Sequence, residues 1–105
     1  MLCGTVPMFV YAKSFLNIAE NLAWDEACLA LMKREEIDEV VRIWKVKEEG
    51  IVIGRSQDVN KEVFIEQCNK DGLPIIRRFT GGGAVVQGEE IFNYSFCVFN
   101  YYIFR

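Results

Sequence analysis

Hydrophobic and polar positions change period several times along the chain, and each change marks an element. Met8 to Ala12 is a short β-prone run that predicts an opening strand. From Ile18 to about Glu36, apolar residues recur at helical spacing at Ile18, Leu22, Leu29 and Met32, with Ala19, Ala23, Ala27 and Ala30 beside them. Asn17 followed by Glu20 resembles a capping box with Asn at the cap. The alanines predict a flank that lies close against a sheet, while Glu20, Asp25, Glu26, Lys33 and Arg34 mostly face water. Val40–Val46 and Ile51–Ile53 are β-branched runs around Lys47-Glu48-Glu49-Gly50, which predicts a hairpin. Asn60 caps a second expected helix, Lys61 to Lys70, whose apolar face is Val63, Phe64, Ile65 and Cys68. After Asp71-Gly72, a strand from Ile75 to Phe79 runs into Thr80-Gly81-Gly82-Gly83 and resumes as Ala84-Val85-Val86-Gln87. A last strand is expected from Ile91 to Phe104. These elements amount to one α+β domain over 1–105, a mixed, mostly antiparallel sheet packed with two helices.

Composition narrows the chemistry. At 105 residues with 51% hydrophobic and 26% charged, the chain folds around a single core. Its net charge of -3 argues against general nucleic-acid binding, which needs a basic footprint. There is no histidine, so Ser-His-Asp chemistry, Cys-His dyads and His-ligated zinc are excluded. Cys3, Cys28, Cys68 and Cys97 are too scattered for a metal knuckle or a tight disulfide framework and read as buried thiols in a reducing compartment. No carboxylate cluster marks a protein metal site. The absence of a signal-peptide pattern and of a membrane-length apolar run predicts a cytoplasmic protein with no membrane partner. The last fifteen residues hold Phe92, Tyr94, Phe96, Phe99, Tyr101, Tyr102 and Phe104. Such an aromatic edge is adhesive unless covered, and predicts either a homodimer through the C-terminal strand or the front part of a longer domain.

The informative stretch is Arg77-Arg78-Phe79-Thr80-Gly81-Gly82-Gly83-Ala84-Val85-Val86. Three glycines between β-prone runs let backbone N–H groups approach a ligand, and on a strand Arg77 and Arg78 point to opposite faces, one free to meet an anion. The pattern is not a Walker A loop, since no Gly-Lys-Ser/Thr follows, and not a dinucleotide fingerprint, since a β-prone run rather than a helix comes next. By spacing alone, a flexible hairpin turn and an anion site are equal readings.

The string from Arg77 to Ser95, RRFTGGGAVVQGEEIFNYS, resembles the signature of the lipoate-protein ligase A family, within the biotin and lipoate ligase fold. Upstream order agrees: Asn21-Leu22-Ala23, then Arg42-Ile43-Trp44, Val52-Ile53-Gly54-Arg55-Ser56-Gln57, Asn60 and Glu62, so that the resemblance runs from about Ile18 to Phe99. It implies Mg-ATP-dependent activation of lipoate to lipoyl-adenylate and transfer of the lipoyl group to a lysine of lipoyl-domain proteins. It implies that Arg78 meets the nucleotide phosphate and that Gly83, Ala84, Val85 and Val86 line the adenylate and acyl pocket beside the loop Thr80, Gly81 and Gly82. Trp44, Val52 and Val85 suit a hydrocarbon chain. Gly54, Arg55 and Gln57 occupy the family's acyl-binding loop, although each could equally serve turn chemistry.

Two departures stand out. Gln87-Gly88 replaces the family's usual His-Asp, and the last lysine is Lys70, upstream of the glycine motif, whereas the family's catalytic lysine lies downstream. The expectation is therefore a domain incomplete at its C-terminal side, with a separate chain as one possible source of the missing half. Two alternatives stay open: an octanoyltransferase of the same fold acting through Cys97, and a non-catalytic remnant that self-associates.

Overall fold

The computed structural model describes residues 8–98. The elements in chain order are β1 (Met8–Tyr11), α1 (Ile18–Lys33), β2 (Glu39–Trp44), β3 (Gly50–Ile53), α2 (Val59–Glu62), α3 (Ile65–Lys70), β4 (Ile75–Arg77), β5 (Val85–Gln87) and β6 (Asn93–Cys97). They form two three-stranded sheets, ordered β1-β2-β6 and β4-β3-β5. In each sheet the central strand has one parallel and one antiparallel neighbour, so the mixed α+β character expected from the sequence is observed.

The expected hairpin between residues 40 and 53 does not form. β2 pairs with β1 and β6, and β3 with β4 and β5. The intervening segment instead carries the chain from one sheet to the other. Val46 is buried among Ile18, Trp44 and Val52, and Glu48 Oε1 accepts the N–H of Ile18 at 2.9 Å. That carboxylate satisfies an orphan donor in the first turn of α1, where negative charge also complements the helix dipole. The result is two parallel strand–helix–strand units, β1-α1-β2 and β3-α2-α3-β4, placed side by side.

Helix α1 begins as expected. Asn17 Oδ1 accepts from the Glu20 N–H at 2.8 Å, and Asn17 Nδ2 donates to Glu20 Oε1 at 3.1 Å. It ends at Lys33 rather than near Glu36, because Glu35 adopts φ 60° and closes the helix without a glycine. The Glu36 N–H bonds Leu31 O and the Glu35 N–H bonds Met32 O, the paired geometry of a Schellman motif. The buried face also differs from the expected one. Ile18, Asn21, Asp25, Cys28 and Met32 are inside, whereas all four alanines at 19, 23, 27 and 30 face out. Asp25 was expected toward water and is 8% exposed. Its partner is a buried arginine, described below.

The expected second helix is broken in two. Asp58, not Asn60, is the first cap, accepting from the Asn60 N–H at 3.0 Å. Val63 then turns extended, with φ -134° and ψ 138°, which puts its side chain into a core with Ile53 and Cys68 and leaves Phe64 88% exposed. On a continuous helix Val63 and Cys68, five residues apart, would stand about 140° apart around the axis, and the break lets both pack with Ile51 and Ile53 of β3 and Ile75 of β4. The final strand is seen at Asn93–Cys97; the remainder of the expected strand beyond Val98, with Phe99, Tyr101, Tyr102 and Phe104, lies outside the described residues. So does Cys3, while Cys28, Cys68 and Cys97 are free thiols. Among the described residues no helix is long and apolar enough to cross a membrane.

Candidate functional site

The glycine segment does not close a hairpin between the strands on either side of it. β4 and β5 lie on opposite sides of β3, so the loop crosses over the C-terminal end of β3. There it is fastened by backbone: Arg78 N–H to Ile53 O at 3.0 Å and Arg55 N–H to Thr80 O at 2.8 Å. The packing is so close that a Cβ on Gly54 would stand 2.1 Å from Gly82 O. Gly82 has φ 101°, in the region that favours glycine. Gly81 and Gly83 differ, since a Cβ on either would meet nothing within 4 Å. At both positions the side-chain direction is open space.

The two arginines divide their work. Arg77 Nη1 donates to the carbonyls of Gly54, Arg55 and Gln57 at 3.0, 3.1 and 2.7 Å and ties down the turn after β3. Arg78 Nη2 donates to Gly81 O at 2.7 Å and Gly83 O at 2.8 Å, curling over its own loop. One guanidinium nitrogen thus shapes the loop, and the fork retains its other N–H donors for an anion. In the 54–57 turn, Gln57 Oε1 accepts from the Gly54 N–H at 2.8 Å, so the side chain of Gln57 closes the turn on itself.

Behind the loop is a cavity of about 420 Å³, enclosed by α1, the two sheets and residues 78–80. This volume is in the range of small-molecule sites. Leu22 and Leu29 of α1, Trp44, Val52 and Val85 supply its apolar lining, with Arg78 and Thr80 at the loop end. Of the positions singled out in the sequence, Trp44, Val52, Arg78, Thr80 and Val85 converge here. Gly54, Arg55 and Gln57 do not line the cavity, and Gly54 packs against Gly82; Gly81, Gly82, Gly83, Ala84 and Val86, which is 67% exposed, are also outside the lining.

Gln87 is 4% exposed and forms reciprocal side-chain bonds with Asn93, Nε2 to Oδ1 at 2.8 Å and Nδ2 to Oε1 at 2.9 Å. This amide pair joins the edge strands β5 and β6, and with them the two sheets, at the cavity wall. A neutral amide offers both a donor and an acceptor, which is what the facing amide needs.

The polar side of the cavity lies outside the expected site residues. Asp25 and Ser95 line it, with Ser95 Oγ donating to Asp25 Oδ2 at 2.7 Å, and Arg42 Nη1 donates to Asp25 Oδ1 at 3.0 Å from behind. The signal was present: Arg42 alternates with Val40 and Trp44 on the inward face of β2, and Asn21 and Asp25 share one helical face. Cys97 also lines the cavity, and burial together with the charge of Asp25 pushes its thiol above the ordinary range. Burial, then Cys97 and Asp25, push the neighbouring Cys28 up to about 11. Neither thiol is activated. Among the described residues no three His, Cys, Asp or Glu side chains converge as metal ligands would.

Residues 17–101 match the family model for the lipoyl protein ligase A/B catalytic domain. Over 65 residues the chain is 42% identical to a provisionally named lipoate-protein ligase A of Aeropyrum pernix, covering 62% of this chain and 24% of that protein. It is 37% identical over 71 residues to the octanoyltransferase LipM of Staphylococcus aureus, covering 68% of this chain and 26% of the relative. Among solved structures it resembles P. falciparum LipL1 in complex with lipoate, with TM-score 0.75, 26% identity, and coverage of 86% of this chain and 30% of that one. A lipoate-protein ligase A bound with ATP gives TM-score 0.71 at 26% identity, over 84% and 35% of the two chains. The bi-partite lipoate protein ligase of Thermoplasma acidophilum, studied with its E2 lipoyl domain, gives 0.72 at 26%, over 87% and 35%. The chain thus spans about a quarter of the length of these curated relatives. With the match covering most of its residues, the chain belongs to the lipoyl protein ligase A/B catalytic-domain family.

Proposed function

We propose that this chain provides the acyl and nucleotide site of a lipoate-protein ligase, which activates lipoate with Mg-ATP to lipoyl-AMP and passes the lipoyl group to a lysine of a lipoyl-domain protein. The observation that carries this reading is the apolar cavity with Arg78 and Thr80 at one end, where an exposed glycine loop begins. Leu22, Leu29, Trp44, Val52 and Val85 would surround the hydrocarbon chain, and its carboxylate would point toward Arg78 and Thr80. In the first step the carboxylate oxygen attacks the α-phosphorus and pyrophosphate leaves. In the second a lysine amine attacks the acyl carbonyl, AMP leaves, and the amine gives up a proton. Arg78 and the loop N–H groups would hold the negative charge that builds on the phosphoryl oxygens, an electrostatic contribution already in place before the reaction. Gly83 and Ala84, outside the cavity lining, would lie beside the nucleotide rather than the acyl chain. Gly54 and Arg55 would act by bracing the loop, through the Gly82 contact and the Thr80 carbonyl, and Gln57 by closing the 54–57 turn.

The 105 residues contain no lysine after Lys70. The reading therefore calls for a lysine-bearing segment downstream of the glycine motif, in continuing chain or in a second polypeptide as in the bi-partite ligase that the fold resembles. Mg-ATP and lipoate should yield lipoyl-AMP, detected by mass spectrometry, only when that segment is added. Adenylate formed by the chain alone would refute the requirement. No adenylate in either case, with no lipoate binding, would refute the ligase reading. We place the protein in the cytoplasm, which a fluorescent fusion tests.

The likeness to octanoyltransferase LipM keeps a second reading in view, acyl transfer through a thioester on Cys97. Burial and Asp25 oppose the thiolate this needs. Incubation with octanoyl carrier protein should leave Cys97 unmodified; an acyl adduct there would reverse the ranking. A purely self-associating role would use the outer face of the first sheet, where Val10, Ile43, Tyr94 and Phe96 are exposed. A monomer by light scattering would count against it.

A further inference from the structure

Arg42 is 1% exposed, and none of the chemistry proposed above uses it. Removing a guanidinium from water is costly unless every donor finds a partner. Here Nη1 donates to Asn21 O at 2.9 Å and Asp25 Oδ1 at 3.0 Å, Nη2 to Asn21 Oδ1, and Nε to Lys13 O at 3.3 Å. Its plane is also packed by the rings of Trp24, Trp44 and Phe15, at 5.0, 5.2 and 5.4 Å. These contacts converge on the wall of the cavity. Asp25 and Trp44 both line it, and Ser95, which lines it too, is bonded to the second oxygen of Asp25. Arg42 and Ser95 are also register partners across β2 and β6.

The carboxylate of Asp25 is thus occupied on both oxygens, one by Arg42 and one by Ser95, so an apolar ligand meets a neutralised pair rather than a bare charge. Trp44 has a buried indole Nε1 with no hydrogen-bond partner among the described residues. No hydrogen bond fixes that ring, so packing against Arg42 and the core must set where it stands. We propose that Arg42 is a positioning residue for the acyl chain: by holding Trp44 and the Asp25–Ser95 pair in place it sets the depth of the pocket, and so the length of acid accepted. This rests on the acyl reading of the cavity.

Arg42→Lys keeps the charge and loses the planar fork and the ring stacking. Only two tryptophans exist, and both touch Arg42, so the two indole N–H resonances of the labelled chain report the wall directly. Arg42→Lys should shift both, weaken lipoate binding about tenfold, the worth of one charge-assisted hydrogen bond, and flatten the preference among hexanoate, octanoate and decanoate. Glu48→Ala, which removes a contact to α1 outside the cavity, controls for lost stability and should leave the length preference intact. Wild-type chain that binds none of these acids would overturn the acyl reading. Unchanged indole resonances or an unchanged length profile in Arg42→Lys would overturn the present inference and leave that reading standing, as would an equal change in Glu48→Ala.

Discussion

The polar wall of the cavity and the glycine loop at its end are built by opposite means. On the side of the first sheet, the wall is made by side chains: Asn21, Asp25, Arg42 and Ser95 bond to one another, and the wall holds because charge meets charge away from water. The second sheet lines the cavity with Val52 and Val85, and the glycine loop at the cavity's end is held by main chain: Gly54 lies against Gly82, Ile53 bonds Arg78, and Thr80 bonds Arg55. Even the arginines there serve carbonyls. The polar wall depends on which side chain is present, and the loop's close contact at Gly54 and Gly82 on there being none. The first is suited to fixing the shape of an apolar pocket, while the second leaves N–H groups open to an anion.

The comparison is most severely tested by Arg42→Met. It leaves Asp25 buried without its cation and should cost about 3–5 kcal/mol, much of the stability of a small domain, read from the urea midpoint. Adding Asp25→Asn should recover part of the loss; no recovery would mean the wall is not held by charge. Next is the glycine loop. Gly54→Ala should cost about 1–3 kcal/mol, toward the upper end because the clash is with a carbonyl that cannot turn away. Gly83→Ala, in open space, should fold like the parent and affect only ligand binding. Equal stability losses from both would break the distinction between braced and open glycines.

A pH series sharpens the side-chain wall. The pKa of Cys28 rises from 9.0 to about 11 on folding, so the thiol favours the native state below pH 9 and that contribution is lost as the pH climbs through 11. Relative to Cys28→Ala, the parent should lose stability over this window, and parallel curves would contradict it. The smallest effect lies outside both wall and loop. Glu35→Gly relieves a left-handed residue at the end of α1 and should add about 1 kcal/mol, a gain that thermal melting detects.

Local signals were readable in the sequence and partnerships were not. The Asn17 cap, the helix after it and the glycine loop all follow from residues close together, and each is present. The hairpin between 40 and 53 failed because a charged turn ending in glycine fits a connection between sheets as well as one within a sheet; the burial of Val46 and the reach of Glu48 to Ile18 decide it. The buried face of α1 was misjudged because two of its positions are Asn21 and Asp25, polar residues whose partner on β2 becomes visible only when the strands are assembled. The alanines looked like a packing face by size and proved to face out. For the same reason the candidate site was half legible. Its apolar and glycine positions carry a local pattern, whereas the Arg42–Asp25–Ser95 connection spans three elements distant in sequence.

The central claim is that one ligand meets both wall and loop, its acyl chain against Trp44 and its phosphate at the glycine loop. The direct measurement is an amide and indole NMR titration of the labelled chain with a non-hydrolysable lipoyl-adenylate analogue, with lipoate as the comparison. The analogue should shift the Trp44 indole together with the Gly81, Gly82 and Gly83 amides, and lipoate should shift the Trp44 side. An analogue that binds and moves neither set, or moves only residues outside the cavity, would contradict it.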